Sequence, residues 1–227
     1  MRLKASLLSL QKDLSNQKSS VNASKIAEQN LLAQTKNQES TYQKLLKAAK
    51  AELASFSTFT TNAGGSKLLA NQTSCDSWGC YYSQRDTLWG NVRLNGARSN
   101  LASEGCLVTS MAMVLTHYGH RNVTPVAINA DSGNFSPFGG LLLFVINVDG
   151  VTATRKTTTI DATLATGNPV IVGVHAYGGT HFVVLTSGSR GSYLMRDPYV
   201  ANGKDINFTS HYSIGSIYAI NKVIVSN

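Results

Sequence analysis

The first 63 residues contain neither glycine nor proline, and this restricts the fold of the 227-residue chain more than any other feature. Those two residues are the ones that most strongly interrupt helices, so their absence favours a long helical segment. Leu3, Leu7, Leu10 and Leu14 follow alternating three- and four-residue steps, which is the spacing of a coiled-coil seam. The stretch Ser15 to Lys25 has lower helix propensity, so the segment is either one long helix or a helical hairpin.

The apolar register continues beyond this stretch, although polar residues interrupt it. Its later members are Val21, Leu31, Tyr42, Leu45, Ala49, Phe56 and Phe59. A stretch rich in Gly, Asn and Ser follows, and then glycine, β-branched and aromatic residues increase while lysine becomes rare. We therefore predict a helical coiled-coil segment over 1–61, a flexible linker over 62–74 and a second domain over 75–227. The seam must bury its apolar face against itself, another chain or the second domain, so we expect this segment to regulate or localise that domain.

Composition and charge exclude some functions. No apolar run reaches the roughly 18 residues of a membrane span, because the longest, Gly139 to Val148, is far shorter. The net charge of +8 is concentrated at the N-terminus: residues 1–60 have nine basic and four acidic groups, a difference of +5. The lysines are spread singly, which favours a solvated helix face over nucleic-acid binding. Weak attraction to an anionic envelope polymer or lipid surface is a lesser alternative.

The sequence at the N-terminus is a poor signal peptide. The apolar stretch from Ala5 to Leu10 is shorter than the usual hydrophobic region, and no small-residue cleavage site follows it. A coiled-coil register begins at once instead. We therefore expect this chain to be the downstream part of a longer helix, with any export signal upstream.

The three cysteines divide into a pair and a single residue. Cys75 and Cys80 flank a Trp-Gly turn and are close enough in sequence to form a small disulfide loop, which predicts an oxidising compartment. Cys106 is then unpaired. A metal site is not favoured, because histidine ligand pairs with the usual spacing are missing.

Cys106 precedes an apolar stripe with helical spacing, and Ser103 to Gly105 provides a turn before it. This pattern places the cysteine at a helix N-terminus, where the helix dipole favours the thiolate and a backbone N–H points to a developing oxyanion. The alternative is an inert, buried thiol.

A nucleophilic cysteine needs a histidine as its base. His117 and His120 lie at the far end of the predicted helix, and His211 stands in a Ser- and Tyr-rich loop. The remaining candidates are His175, at the end of one predicted strand, and His181, at the start of the next. A side chain at a strand mouth can face a cleft, which favours His181.

The next predicted hairpin brings a carboxylate close to His181. A four-residue turn at Gly188 to Gly191 pairs Phe182 with Asp197 and makes His181 and Asp197 diagonal neighbours. Asp197 could then orient the imidazole. The alternative is a plain turn at Asp197-Pro198 that ends the strand.

Five stretches together resemble papain-like cysteine peptidases related to the bacteriocin-processing, double-glycine leader peptidases. They are YYSQRDTLWG, EGCLVTSMAMVLTHYG, NPVIVGV, GGTHFVVLTSG and YLMRDPY, and the resemblance covers about residues 80–222. The resemblance implies a papain-like α+β fold, with a helix packed on an antiparallel sheet, and no cofactor. It also implies that Cys106 is the nucleophile, His181 the general base and acid, Asp197 the residue that orients it, and Gln84 the oxyanion-hole side chain.

A coiled coil, a linker and a papain-like domain together resemble the layout of secreted bacterial peptidoglycan hydrolases. From this layout we expect an exported, envelope-associated cysteine peptidase or amidase that acts on wall peptides or secreted proteins. An envelope protein is the expected partner of the coiled coil. The alternatives are a binding module whose papain-like cleft has lost activity and a structural protein whose function lies in the helical segment.

Overall fold

A computed structural model describes residues 2–34, 39–137 and 140–226. The glycine-free segment contains two helices, α1 (Arg2–Gln34) and α2 (Glu39–Asn62). No helix among the residues described is both long and apolar enough to cross a membrane.

The second part of the chain begins with a two-stranded ribbon, β1 (Ser74–Cys75) and β2 (Cys80–Tyr81). A disulfide joins Cys75 to Cys80, which directly face each other in this ribbon, so the predicted pairing is confirmed. Cys106 is a free thiol.

Three helices come before the main sheet in the chain and a fourth lies between two of its strands. One of the four begins at Cys106, as predicted. They are α3 (Leu101–Glu104), α4 (Cys106–His117), α5 (Pro125–Ala130) and α6 (Ile160–Leu164). The sequence predicts an apolar stripe on α4, but all residues from Cys106 to Thr116 are buried. The helix is covered on several sides because it packs against α5, β2 and the main sheet.

The main sheet has seven strands, and every neighbouring pair is antiparallel. They are β3 (Val145–Val148), β4 (Val151–Thr157), β5 (Val170–Ala176), β6 (Gly179–Ser189), β7 (Ser192–Arg196), β8 (Ile206–Asn207) and β9 (Ile217–Ser226). Their order across the sheet is β3-β4-β9-β5-β6-β7-β8. The fold is therefore α+β, whereas its papain-like architecture and the coiled coil stay predictions.

The predicted register of the hairpin between β6 and β7 is wrong. The turn has two residues, Arg190 and Gly191, both with positive φ, and not the four residues from Gly188 to Gly191. An irregularity after Leu185 shifts the pairing again, so that Val184 faces Arg196. One step further along this register, Asp197 falls opposite position 183, which shares a face of the strand with position 181.

Of residues 62–74, predicted as a flexible linker, Asn62 ends α2 and Ser74 begins β1, and the stretch between them is hydrogen-bonded to later parts of the chain. Leu69 donates its N–H to the Arg85 carbonyl at 2.8 Å and accepts from Thr87 at 3.0 Å. Tyr199 donates its hydroxyl to the Gly65 carbonyl at 2.8 Å. We refer to residues 63–73 as the strap, because they connect α2 to the ribbon while hydrogen-bonded to the domain.

The two N-terminal helices use their apolar residues differently. Leu10 and Leu14 on α1 are 67% and 65% exposed, whereas Phe56 and Phe59 on α2 are 3% and 1% exposed. The α2 side chains are buried because this helix packs against β6 and α3. The α2 half of the predicted seam thus packs into the core together with residues from the later part of the chain.

Candidate active site

Cys106 is placed at the first position of α4 by the tight turn that precedes it. Gly105 links α3 to α4, and a Cβ atom at this position would lie 2.5 Å from the Leu101 carbonyl oxygen. Only glycine allows the two helices to approach so closely. The Gly105 carbonyl then accepts the Thr109 N–H at 2.9 Å, so the sulfur of Cys106 lies where the helix N–H groups are directed.

His181 and Asp197 form a buried pair. The imidazole Nε2 of His181 lies 2.9 Å from Oδ1 of Asp197, and the side chains are 1% and 0% exposed. The sequence predicted this proximity, and the corrected register accounts for it. Since Nε2 faces the carboxylate, Nδ1 is the nitrogen left to exchange a proton with a reactant.

The Asp197 carboxylate has several further partners. Its Oδ1 accepts the Tyr199 N–H at 2.7 Å, and its Oδ2 accepts the Tyr212 hydroxyl at 2.6 Å. Burial alone would raise the pKa of Asp197, but the charge of His181 and these hydrogen bonds outweigh it and lower the pKa below its usual value. Asp197 is therefore held as a carboxylate, which can stabilise a cationic imidazole.

Gln84 lies beside the segment that leads to Cys106. Its side-chain Nε2 donates to the Ala102 carbonyl at 2.9 Å, and its backbone N–H donates to the Pro198 carbonyl at 2.8 Å. One side-chain N–H remains for another acceptor, because an amide nitrogen has two hydrogens. The buried Oε1 has no hydrogen-bond partner among the residues that the structure describes.

Cys106 is itself deeply buried, with 2% of its surface exposed. Burial raises the pKa of the Cys106 thiol to about 12, and the charges of Glu52 and Asp197 add to the effect. Hydrogen bonds from the backbone of Phe182 and Leu107 oppose it. In this arrangement the group is a thiol at neutral pH, contrary to the thiolate expected from its place at the helix N-terminus.

Helix α2 lies over His181. The Phe59 ring stacks on the His181 imidazole with centroids 4.2 Å apart and planes 5° from parallel. The rings of Tyr177 and Tyr199 form T-shaped contacts with the Phe59 ring, with centroids 5.4 and 5.2 Å from it. One turn earlier on the helix, Phe56 contacts Phe182 at 5.8 Å between centroids.

An apolar groove runs beside the site between α2 and the sheet. Its cavity volume is about 610 Å³, and Leu107 and Phe182, the chain neighbours of Cys106 and His181, line it. The groove extends past Leu45 and Ala49 on α2. It provides an apolar surface adjacent to the candidate nucleophile.

Sequence reasoning missed two residues of this site. Phe59 is assigned by its spacing to a helical seam, and the pattern gives no indication that an imidazole is its partner. Tyr212 follows His211 in a loop of Ser and Tyr residues, and local sequence contains no signal that connects it to Asp197. His175, the rejected alternative, is exposed and stacks on Tyr218 at 4.5 Å.

No known protein family, curated protein or solved structure matches the chain. Within the described ranges, no group of three His, Cys, Asp or Glu side chains is arranged to hold a metal ion.

Proposed function

We propose that this protein is a cysteine peptidase or amidase in which Cys106, His181 and Asp197 act together and Gln84 assists. The observation that carries the proposal is the buried His181–Asp197 pair, together with a buried cysteine at a helix N-terminus. The charge of Asp197 acts on Cys106, and the backbone of Phe182, the chain neighbour of His181, hydrogen-bonds the Cys106 sulfur. The resemblance to papain-like leader peptidases supports the same assignment.

In the first half of the reaction, His181 Nδ1 takes the proton of the Cys106 thiol as the sulfur attacks the substrate carbonyl carbon. The C=O electron pair moves onto oxygen, and in this proposal the backbone N–H of Cys106 and the second Gln84 N–H stabilise that oxyanion. Asp197 stabilises the imidazolium. Collapse breaks the C–N bond, His181 returns the proton to the leaving amine, and a thioester remains.

The second half of the reaction uses water. His181 removes a proton from a water molecule, which attacks the thioester carbonyl. The second tetrahedral intermediate breaks its C–S bond, releases the carboxylic acid and regenerates the Cys106 thiol with the proton from His181. The net reaction is hydrolysis of one amide bond.

The proposed place of action is the bacterial cell envelope or the medium outside it. The Cys75–Cys80 disulfide supports an oxidising compartment. We propose wall peptides or secreted proteins as substrates, and a coiled coil formed by α1 that recruits an envelope protein. The exposed leucines of α1 support this role because they offer an apolar face.

One observation favours a second function, a papain-like binding module without activity. Cys106 is covered and its pKa is raised to about 12 by burial, so the thiolate is strongly disfavoured in this arrangement. Such a module would use the apolar groove as its binding surface and would not consume its ligand.

The two functions are separated by incubating the full chain with purified peptidoglycan and with a peptide library, followed by mass spectrometry of the products. Cys106→Ala is the matched control, because it removes only the sulfur. A peptidase gives products that Cys106→Ala does not give. Identical product profiles from both proteins would contradict the proposed function and favour the binding module.

A further inference from the structure

The apolar groove beside the candidate site is lined by a buried arginine, Arg155, that forms no ion pair with a described carboxylate. We propose that this groove binds a long-chain fatty acid, with the alkyl chain along the apolar lining and the carboxylate at Arg155. Arg155 takes no part in the proposed reaction, so this binding site is independent of whether Cys106 is catalytic.

The surroundings of Arg155 leave its positive charge without an anionic partner. The residue is 6% exposed, and its hydrogen bonds to described residues run from Nη2 to the carbonyl oxygens of Leu142 at 3.0 Å and Leu143 at 3.4 Å. The buried Nε has no hydrogen-bond partner in the described part of the chain. A buried charge of this kind is stabilised most by an anion that also accepts its free N–H groups.

The charge of the site is single and is present at neutral pH. Burial lowers the pKa of Arg155 to about 10, and the charges of Tyr218 and Glu52 oppose this effect, so the guanidinium stays protonated. Glu52 also lines the groove, where its carboxylate accepts the Tyr218 hydroxyl at 2.6 Å. Because this acidic group would repel a doubly charged phosphate, the groove favours a singly charged carboxylate at Arg155.

The rest of the groove suits an alkyl chain. Its volume of about 610 Å³ lies within the range of small-molecule pockets, roughly 300–1,000 Å³. Leu45 and Phe144, which line it, are 43% and 62% exposed, so the apolar surface is open to a ligand. The centre of the Phe144 ring also lies 4.6 Å from Cζ of Arg155, so apolar and cationic surfaces meet directly. An amphiphile with an anionic head matches both.

A peptide fits the groove less well, because the backbone around it is already hydrogen-bonded. Asn221 of β9 pairs with Thr157 on one side and with Ile171 on the other. The Phe144 carbonyl accepts the backbone N–H of Arg155 at 2.8 Å. An extended peptide would therefore leave amide groups without partners, whereas an alkyl chain has none to satisfy.

The test is isothermal titration calorimetry of the full chain with dodecanoate, below its micelle concentration. Dodecyltrimethylammonium has the same chain and the opposite charge, so we expect one dodecanoate per chain and at least about tenfold weaker binding of the cationic probe. Arg155→Met keeps an apolar side chain of similar length and should weaken dodecanoate binding at least about tenfold. Lys156→Met, at the next and exposed position of β4, removes the same charge and should leave binding unchanged.

A second pair of variants tests the groove with Arg155 intact, in case circular dichroism shows that Arg155→Met does not fold. Ala48 is exposed on α2 and lines the groove, so Ala48→Trp fills space that the alkyl chain needs and should weaken dodecanoate binding at least about tenfold. Ala51→Trp is the matched control, because Ala51 is exposed on the same helix and does not line the groove.

Each outcome decides for or against the fatty-acid site. Selective binding of dodecanoate that depends on Arg155 and on free space beside Ala48 supports it. Equal binding of the two amphiphiles, or equal dodecanoate binding by Arg155→Met and Lys156→Met, would overturn it. Absence of dodecanoate binding would overturn it too, and Arg155-dependent binding of a glutamate-containing peptide or of anionic phospholipid vesicles would then identify the anion that the groove takes instead.

Discussion

Helices α1 and α2 come from one glycine-free segment and continue one apolar register, yet they meet different surroundings. Leu10 of α1 is 67% exposed, while Phe56 of α2 is 3% exposed against the second domain. The periodicity of a helix thus specifies which face is apolar, but it does not specify what that face contacts. Here the contact is set by the aromatic residues of α2, which find aromatic partners on β6 and in the loops beside it.

The comparison depends first on whether α2 covers a catalytic histidine. His181→Ala should reduce hydrolysis of a library-derived peptide by at least about 10³-fold, because nucleophile and base act as one unit. His175→Ala is the matched control, since His175 is exposed and stacked on Tyr218. Steady-state kinetics of both variants give the answer. Loss of activity in His175→Ala but not in His181→Ala would show that His181 is not the base.

The comparison also predicts unequal contributions of the two helices to stability. Phe56→Ala should lower the free energy of unfolding by about 3–5 kcal/mol, because it leaves a cavity against Phe182. Leu10→Ala should change it by less than about 0.5 kcal/mol, since an exposed side chain loses little on truncation. Urea unfolding followed by circular dichroism measures both. A similar loss in both variants would show that the face of α1 is buried in solution.

The disulfide ribbon offers a third region, outside both helices. The double variant Cys75→Ser with Cys80→Ser should lose about 2 kcal/mol of stability, the loop-closure value for so short a loop. Thermal unfolding measures the loss, and the unaltered chain with reductant is the control. Two additional free thiols in denatured, non-reduced protein would contradict the disulfide.

The last prediction concerns pH and the burial of Cys106. Burial raises the pKa of Cys106 to about 12, so the thiolate fraction of the covered site keeps rising about tenfold per pH unit between pH 8 and 10. Alkylation rates should follow this slope, while a free cysteine levels off near its pKa of about 8.5. Stability changes in the opposite direction: because burial raises the pKa of Cys106, its contribution to stability is present below about pH 8.5 and is lost as pH rises towards 12. A plateau near pH 8.5 in the full chain would contradict the covered arrangement.

Sequence alone predicted the parts of this site that depend on local structure. The start of α4 at Cys106 follows from a turn and an apolar stripe, and the Cys75–Cys80 pair follows from five-residue spacing. The proximity of His181 and Asp197 was also predicted, although through a register that is wrong. Two residues with positive φ in the turn and one irregularity in β6 changed the pairing, and neither has a strong local signal.

The remaining features depend on contacts between distant parts of the chain. Tyr212 hydrogen-bonds Asp197, which lies 15 residues away in the sequence. Phe59 stacks on His181, although the strap and much of the later chain separate them in the sequence. The protonation state of Cys106 also could not be predicted, because the helix dipole is a local effect whereas burial is a tertiary one. In this arrangement burial dominates, as the raised pKa shows.

The strap has a consequence for how α2 is held beside the candidate site. Because residues 63–73 join α2 covalently to the domain and are hydrogen-bonded along it, the helix is present at a fixed effective concentration beside the site. Dilution cannot release it, and a free peptide would have to compete with a tethered neighbour. The packing of α2 beside the site is therefore a property of each single molecule and does not depend on protein concentration.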